Sequence, residues 1–211
     1  MNTTKAILIT LVLAATTSCG RGQNAPRVVP SSTSVPVNLV SICGDPNILG
    51  IEIPDIRDGS SCGIDDPVQV YFVSGVELSS QPKINCKTAR ALRTWVDEGA
   101  QPSVENLNAY ITKFHVVAHY SCRTRNSQPG ARISEHAKGN AIDIAGFTLS
   151  DGTVIDVEEH WRAADYGETL RRLYSSACGV FGTTLGPDAD RHHQDHMHFD
   201  TADYRSGSYC R

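Results

Sequence analysis

The sequence predicts an α+β fold in which helices pack against an antiparallel sheet. Strand-like runs of period 2 and runs of helical spacing are both present, but they do not alternate strictly as a parallel βαβ fold requires. Six cysteines between Cys43 and Cys210 form an even set of the kind that cross-links an exported domain. Two histidine-bearing segments, at 134–143 and 195–198, carry the two-residue spacing of extended chain, so a sheet could gather their side chains on one face.

The elements follow in order. Residues 68–76 are rich in β-branched and aromatic side chains and read as a strand. Residues 86–98 place Ala89, Leu92, Trp95 and Val96 at helical spacing. Residues 113–120 alternate again, and 139–147 with 153–157 read as a hairpin around Ser150, Asp151 and Gly152. Residues 166–178 read as a helix and 196–200 as the last core strand. No internal repeat interrupts this order.

Ahead of the domain the chain changes character. Residues 1–5 form a short basic start, and 6–15 are an apolar run shorter than the ~20 residues a spanning helix needs, which marks a signal peptide over 1–18. Thr16, Thr17 and Ser18 before Cys19 resemble a lipobox, with Thr16 standing where leucine is commoner. Residues 19–40 hold Pro26, Pro30 and Pro36 in a Ser/Thr-rich stretch with no amphipathic period and read as a linker. Residues 41–211 are then one domain, long enough for a single buried core.

Setting Cys19 aside for lipid attachment leaves Cys43, Cys62, Cys86, Cys122, Cys178 and Cys210 for disulfides in an oxidising compartment. The expected pairing is Cys43 with Cys62, Cys86 with Cys122, and Cys178 with Cys210. A net charge of -4 with scattered Lys and Arg excludes a basic nucleic-acid surface. The expectation is a monomer, held to a membrane through lipid if Cys19 is modified. Gly20 lacks the aspartate that retains many lipoproteins at the inner membrane, so the periplasmic face of the outer membrane, or secretion, is the expected location.

The histidine segments carry the chemistry. His136 and Asp143 stand seven positions apart, and a third ligand from the His196 and His198 pair would complete two nitrogens and one oxygen. Such a set leaves a zinc coordination position open for water, the mark of a catalytic ion. Gly139 allows a sharp turn or a close backbone approach between the first two ligands. On the strand that follows, Ala141 and Asp143 face one way and Ile142 and Ile144 the other. Met197 and Phe199 would similarly turn inward while His196 and His198 face out. Structural or surface roles are expected of His115 and His119, and His160 and His192 have no motif partner.

Ser134, His136, Gly139, Ala141 and Asp143, answered by His196 and His198, resemble the zinc peptidases of the lysostaphin, D-Ala-D-Ala metallopeptidase and sonic hedgehog group. More narrowly, residues 62–64, Tyr120, Cys122, Arg123, 181–187 and 209–211 resemble the bacterial extensin-like C-terminal domain family, over roughly residues 43–211. The resemblance implies a hedgehog-like zinc fold, Zn2+ held by His136, Asp143 and His198, and peptidoglycan peptides as substrate, with crosslink cleavage favoured over D,D-carboxypeptidase trimming. It leaves Asp195, His196 and His193 as alternative general bases. On a regular strand the odd spacing of Asp195 from His198 favours His196, and a turn before His196 would restore Asp195. Arg123 matches an arginine placed near substrate, against the plainer reading of a surface ion pair. Ser134 would touch substrate or steady a ligand, against a turn or capping role. A non-catalytic cell-wall binding module and a zinc enzyme acting on another amide are the alternatives.

Overall fold

The computed structural model describes residues 38–59, 61–204 and 206–211. The expected signal peptide, Cys19 and most of the expected linker lie outside those residues. β1 (Val40–Ile42) and β2 (Asp45–Glu52) form a hairpin, and β3 (Ile56–Arg57) pairs with β4 (Gly63–Ile64) in a small separate ribbon. β5 (Val68–Val73), β6 (Val76–Leu78) and β7 (Lys83–Ile84) lead into α1 (Cys86–Trp95). Then come β8 (Ile111–Ala118), β9 (Ala141–Leu149), β10 (Val154–Asp156), α2 (Val157–His160) and α3 (Gly167–Ser176). β11 (Thr183–Leu185), β12 (Met197–Asp200) and β13 (Tyr209–Cys210) close the chain.

Apart from the ribbon, these strands form one sheet in the order β1-β2-β5-β6-β8-β9-β12-β11-β13, with β7 on β5 and β10 on β9. The expected antiparallel sheet is instead mixed, because β6 runs parallel to β8 and β11 parallel to β13. The first of these follows from connectivity. After the tight turn at Ser74 and Gly75, the chain leaves through β7 and α1 before β8 returns on the far side of β6, which supplies the crossover that a parallel pair requires.

α1 forms because Asn85 caps it, its side chain accepting from the Thr88 amide at 2.9 Å, and because Thr88, Ala89, Leu92 and Trp95 make one buried face. That face meets the sheet through Trp95, stacked on Phe114 with centroids 5.1 Å apart and edge-on to Phe199 at 5.0 Å. The indole Nε1 donates to the Leu173 carbonyl at 3.2 Å, which ties α3 to the same core. The helix expected over 86–98 is α-helical only to Trp95 and continues as a π-helical turn over Val96–Ala100. The strand expected over 68–76 is two strands, and β1 and β2 were not anticipated. Their sequence mixes Asp45, Pro46 and Asn47 into an apolar run and hides the period.

All six domain cysteines are paired. The bridges are Cys43–Cys86, Cys62–Cys122 and Cys178–Cys210, so only the last of the expected pairings holds. Cys43 lies in the β1–β2 turn, where its carbonyl accepts from Arg90 at 3.0 Å, and so reaches the start of α1 rather than Cys62. Cys62 instead fastens the β3–β4 ribbon to the segment after β8 that carries Arg123. Replacing Cys62 and Cys122 together by alanine is expected to cost ~2–5 kcal/mol, read as a lowered Tm, since the bridge closes a loop of sequence separation 60.

Candidate metal centre

β9 and β12 are antiparallel neighbours with Asp143 directly opposite His198. Ile142, Ile144, Met197 and Phe199 are buried in the core, so Asp143 and His198 emerge together on the other face. His136 arrives from a single 3-10 turn, Glu135–Lys138, ended by Gly139 at φ +66°. A Cβ on Gly139 would lie 2.4 Å from the Ile64 side chain and 3.1 Å from the Asn85 nitrogen, so both the left-handed turn and the close approach require glycine here.

The three side chains converge. His136 Nε2 lies 3.2 Å from Asp143 Oδ2 and 3.2 Å from His198 Nδ1, and His198 Nδ1 lies 2.8 Å from Asp143 Oδ1. Zinc bonds of ~2.0–2.1 Å in a tetrahedron set ligand atoms about 3.3 Å apart, so the set needs only small adjustment to hold an ion. Among the described residues these three form a possible metal-binding triad.

The ring nitrogens are already oriented for ligation. His136 Nδ1 lies 2.8 Å from the His119 carbonyl, and because a carbonyl only accepts, that nitrogen carries a proton and Nε2 is the atom left to face an ion. His198 donates from Nε2 to Asp200 at 3.2 Å, so Nδ1, which donates to Asp143 at 2.8 Å, is the atom that would give up its proton to an ion. The structural role expected of His119 thus belongs to its main chain; its ring Nδ1 is buried with no hydrogen-bond partner among the described residues.

Electrostatics bind the ion-free cluster together. Burial works against the charge on Asp143, but His198 and His136 overcome it and hold the carboxyl far below its usual range. Burial likewise opposes charge on His198, yet Asp143 and Asp200 push it up to about 9. The raised His198 value contributes stability that is present below about 6.5 and lost as pH rises through about 9. The depressed Asp143 value contributes stability present above about 3.9 and lost on acidification. At neutral pH a metal must therefore displace a proton from His198 Nδ1. Metal binding is expected to release ~1 proton and to tighten as pH rises from neutrality toward 9, measurable by calorimetry in buffers of different ionisation enthalpy.

An open cleft of about 490 Å³ surrounds the triad. Arg123 and Ser134 line it, and Ser134 makes no capping hydrogen bond to the 3-10 turn it precedes. Among the described residues Arg123 forms no ion pair. His192, His193 and His196 line the cleft also. His196 lies just before β12, after the turn and bend over 191–195, the circumstance expected to restore Asp195; yet it is His196 whose Nε2 sits 3.6 Å from Asp143 Oδ2, while its Nδ1 donates to Asp195 at 2.7 Å. The Asp195 side chain is 66 % exposed and stands behind His196. His193 donates from Nδ1 to Asp190 at 2.8 Å, and burial keeps it below the usual histidine range despite that partner.

Sequence reasoning missed Asp200, Asp190, Glu135, Arg125 and Tyr204. Glu135 is buried beside His136; burial opposes its charge, but hydrogen bonds from Asn140, Tyr204 and Lys138 hold its carboxyl below the usual range. Arg125 donates to the Tyr204 hydroxyl at 2.6 Å and lies over its ring. An acid directly preceding a candidate ligand was the one sequence signal that could have marked Glu135.

The family model described as extensin-like protein C-terminus matches residues 46–211, a span that includes every residue of this cleft. No curated protein and no solved structure matches the chain.

Proposed function

This chain belongs to the extensin-like protein C-terminus family, and on that premise we propose that it is a zinc peptidase of bacterial cell-wall peptidoglycan, cutting crosslinks in preference to trimming stem ends. The observation that carries the reading is the near-tetrahedral spacing of His136, Asp143 and His198, with the outer nitrogen of each imidazole anchored to a protein acceptor, at the floor of an open cleft. The substrate and the placement among lysostaphin-type and hedgehog-type zinc peptidases rest on the resemblance of the motif residues.

Zinc held there would polarise the scissile carbonyl and bring the pKa of a water to ~7. His196 Nε2 takes the proton of the attacking water and returns it to the leaving amine, while Asp195 holds Nδ1–H and keeps the lone pair aimed into the cleft. This gives Asp195 an orienting role and makes His193, held by Asp190, a neighbouring wall residue whose ring centroid is 5.2 Å from that of His196. Arg123 on the cleft wall, in no ion pair among the described residues, stabilises charge developing on the carbonyl oxygen. Ser134 meets the substrate backbone. Export as an outer-membrane lipoprotein through Cys19, or secretion, is proposed from residues 1–40 alone.

The test is to incubate the purified protein with intact crosslinked sacculi, with and without a zinc chelator, and to identify released muropeptides by mass spectrometry. Chelator-sensitive products support the peptidase and name the bond. Bound zinc without products would overturn it in favour of a non-catalytic binding module.

A further inference from the structure

A second cavity, about 650 Å³, lies on the other side of Tyr204, whose side chain lines it and the metal cleft alike. Its walls are the Lys87, Arg90 and Thr94 face of α1, residues 179–182 ahead of β11, and described residues that follow β12. Positions 87, 90 and 94 share one helical face, so the two cations project together. Lys87 Nζ donates to the Thr201 carbonyl at 2.7 Å and Arg90 Nη1 to the Cys43 carbonyl at 3.0 Å. Among the described residues neither cation pairs with a carboxylate, and Asp203 is the one acid on the wall. Lys87 also stands in the first turn of α1, which holds no acidic residue, where the helix dipole favours negative charge. An anion bound in this cavity would relieve both mismatches.

Tyr204 connects the two spaces. It is 46 % exposed, an aromatic surface left in water between two cavities. Its hydroxyl donates to Glu135 and accepts from Arg125, so the ring is fixed rather than free to swing. A fixed, exposed ring with polar anchorage at its tip is suited to stack against a chain passing over it.

We infer that the metal cleft and the second cavity form one groove across Tyr204, and that the second cavity binds the carboxylate-bearing arm of a peptide whose scissile amide lies at the metal triad. The inference rests on the peptidase reading for the scissile amide but not for the anion subsite. Lys87 and Arg90 supply charge-assisted hydrogen bonds to the carboxylate, and Tyr204 supports the backbone between the two sites. The ligand class is an anionic peptide, since one cationic wall and one aromatic platform offer nothing to a cationic or wholly apolar chain.

The experiment titrates the full chain with a peptidoglycan stem peptide carrying free carboxylates and with its fully amidated counterpart. The acidic peptide is expected to bind about tenfold or more tightly than the amidated one, and Lys87→Glu with Arg90→Glu to erase that difference while leaving amidated-peptide binding in place. Lys87→Gln with Arg90→Gln, which keeps side-chain size, should give the same loss in smaller measure and guards against misfolding of the charge-reversed variant. Tyr204→Ala should weaken both peptides. Equal binding of the two peptides, no binding of either, or wild-type affinity in the Lys87/Arg90 variants would overturn the subsite. Carboxylate-dependent binding without hydrolysis would leave the subsite standing and count against the peptidase. Hydrolysis whose KM ignores Lys87 and Arg90 would do the reverse.

Discussion

Replacing His136 or His198 by alanine is expected to remove bound metal and hydrolysis together, down to background rate. Each substitution leaves two protein ligands where a catalytic zinc site needs three. The two variants should differ in stability, because the ligands have different neighbours. His136→Ala keeps the Asp143–His198–Asp200 chain, in which a buried imidazolium still lies between two carboxylates. His198→Ala strands Asp143 and Asp200 in the interior without the cation that both face, and breaking a buried pair in this way typically costs ~3–5 kcal/mol. Metal analysis and thermal melting on the two proteins separate these effects. Both should lack zinc, and the ion-free His198 variant should melt well below the ion-free His136 variant. Asp200→Asn tests the support behind the ligand. It keeps the shape, removes the charge behind His198 Nε2, and should weaken zinc ~10–100-fold. Zinc retained stoichiometrically in either alanine variant would reject the triad as the metal site.

The contrast between what local sequence reveals about this site and what it conceals has a physical basis. Ile142, Asp143 and Ile144 announce a strand with one polar face, and Met197, His198 and Phe199 repeat the pattern; in the folded chain the apolar members are buried and the polar ones meet across adjacent strands. Such alternation is a property of the backbone period and survives in any tertiary context that has one core. Gly139 was legible for a similar reason, because a left-handed turn between two ligands has few solutions. The partners that orient the ligands have no local signature. The His119 carbonyl looks like any other carbonyl until β8 ends beside the 3-10 turn of His136. Tyr204 reaches Glu135 across 69 positions of sequence. The disulfides fail for the same reason. Cys43 and Cys62 are closer in sequence than Cys43 and Cys86, but the β1–β2 turn carries Cys43 onto α1. The parallel placement of β8 on β6 likewise depends on a crossover through α1 that no strand-level pattern encodes.

His196→Ala is expected to lower kcat by ~10²–10⁴ while leaving zinc bound, the loss typical of a general acid–base group. His196 is not one of the three ligands, yet its Nε2 is the imidazole nitrogen outside the triad placed 3.6 Å from Asp143, within reach of a water in the open coordination position. Asp195→Asn should cost less than His196→Ala, because the amide still occupies the place of the Nδ1 acceptor but loses the negative charge that favours a protonated ring. His193→Ala should cost less again, since its ring is directed by Asp190 and shares the cleft as a neighbour. The order of effects therefore distinguishes the three residues, where any single variant would not. If Asp195 accepted the proton itself, Asp195→Asn would fall at least as far as His196→Ala. If His193 were the base, its alanine variant would be the most damaged of the three. Steady-state rates on one muropeptide, with zinc content measured on the same samples, decide among these outcomes. Zinc lost from His196→Ala would make His196 a fourth ligand and leave no open position for water, which would turn the site from a catalytic into a structural one.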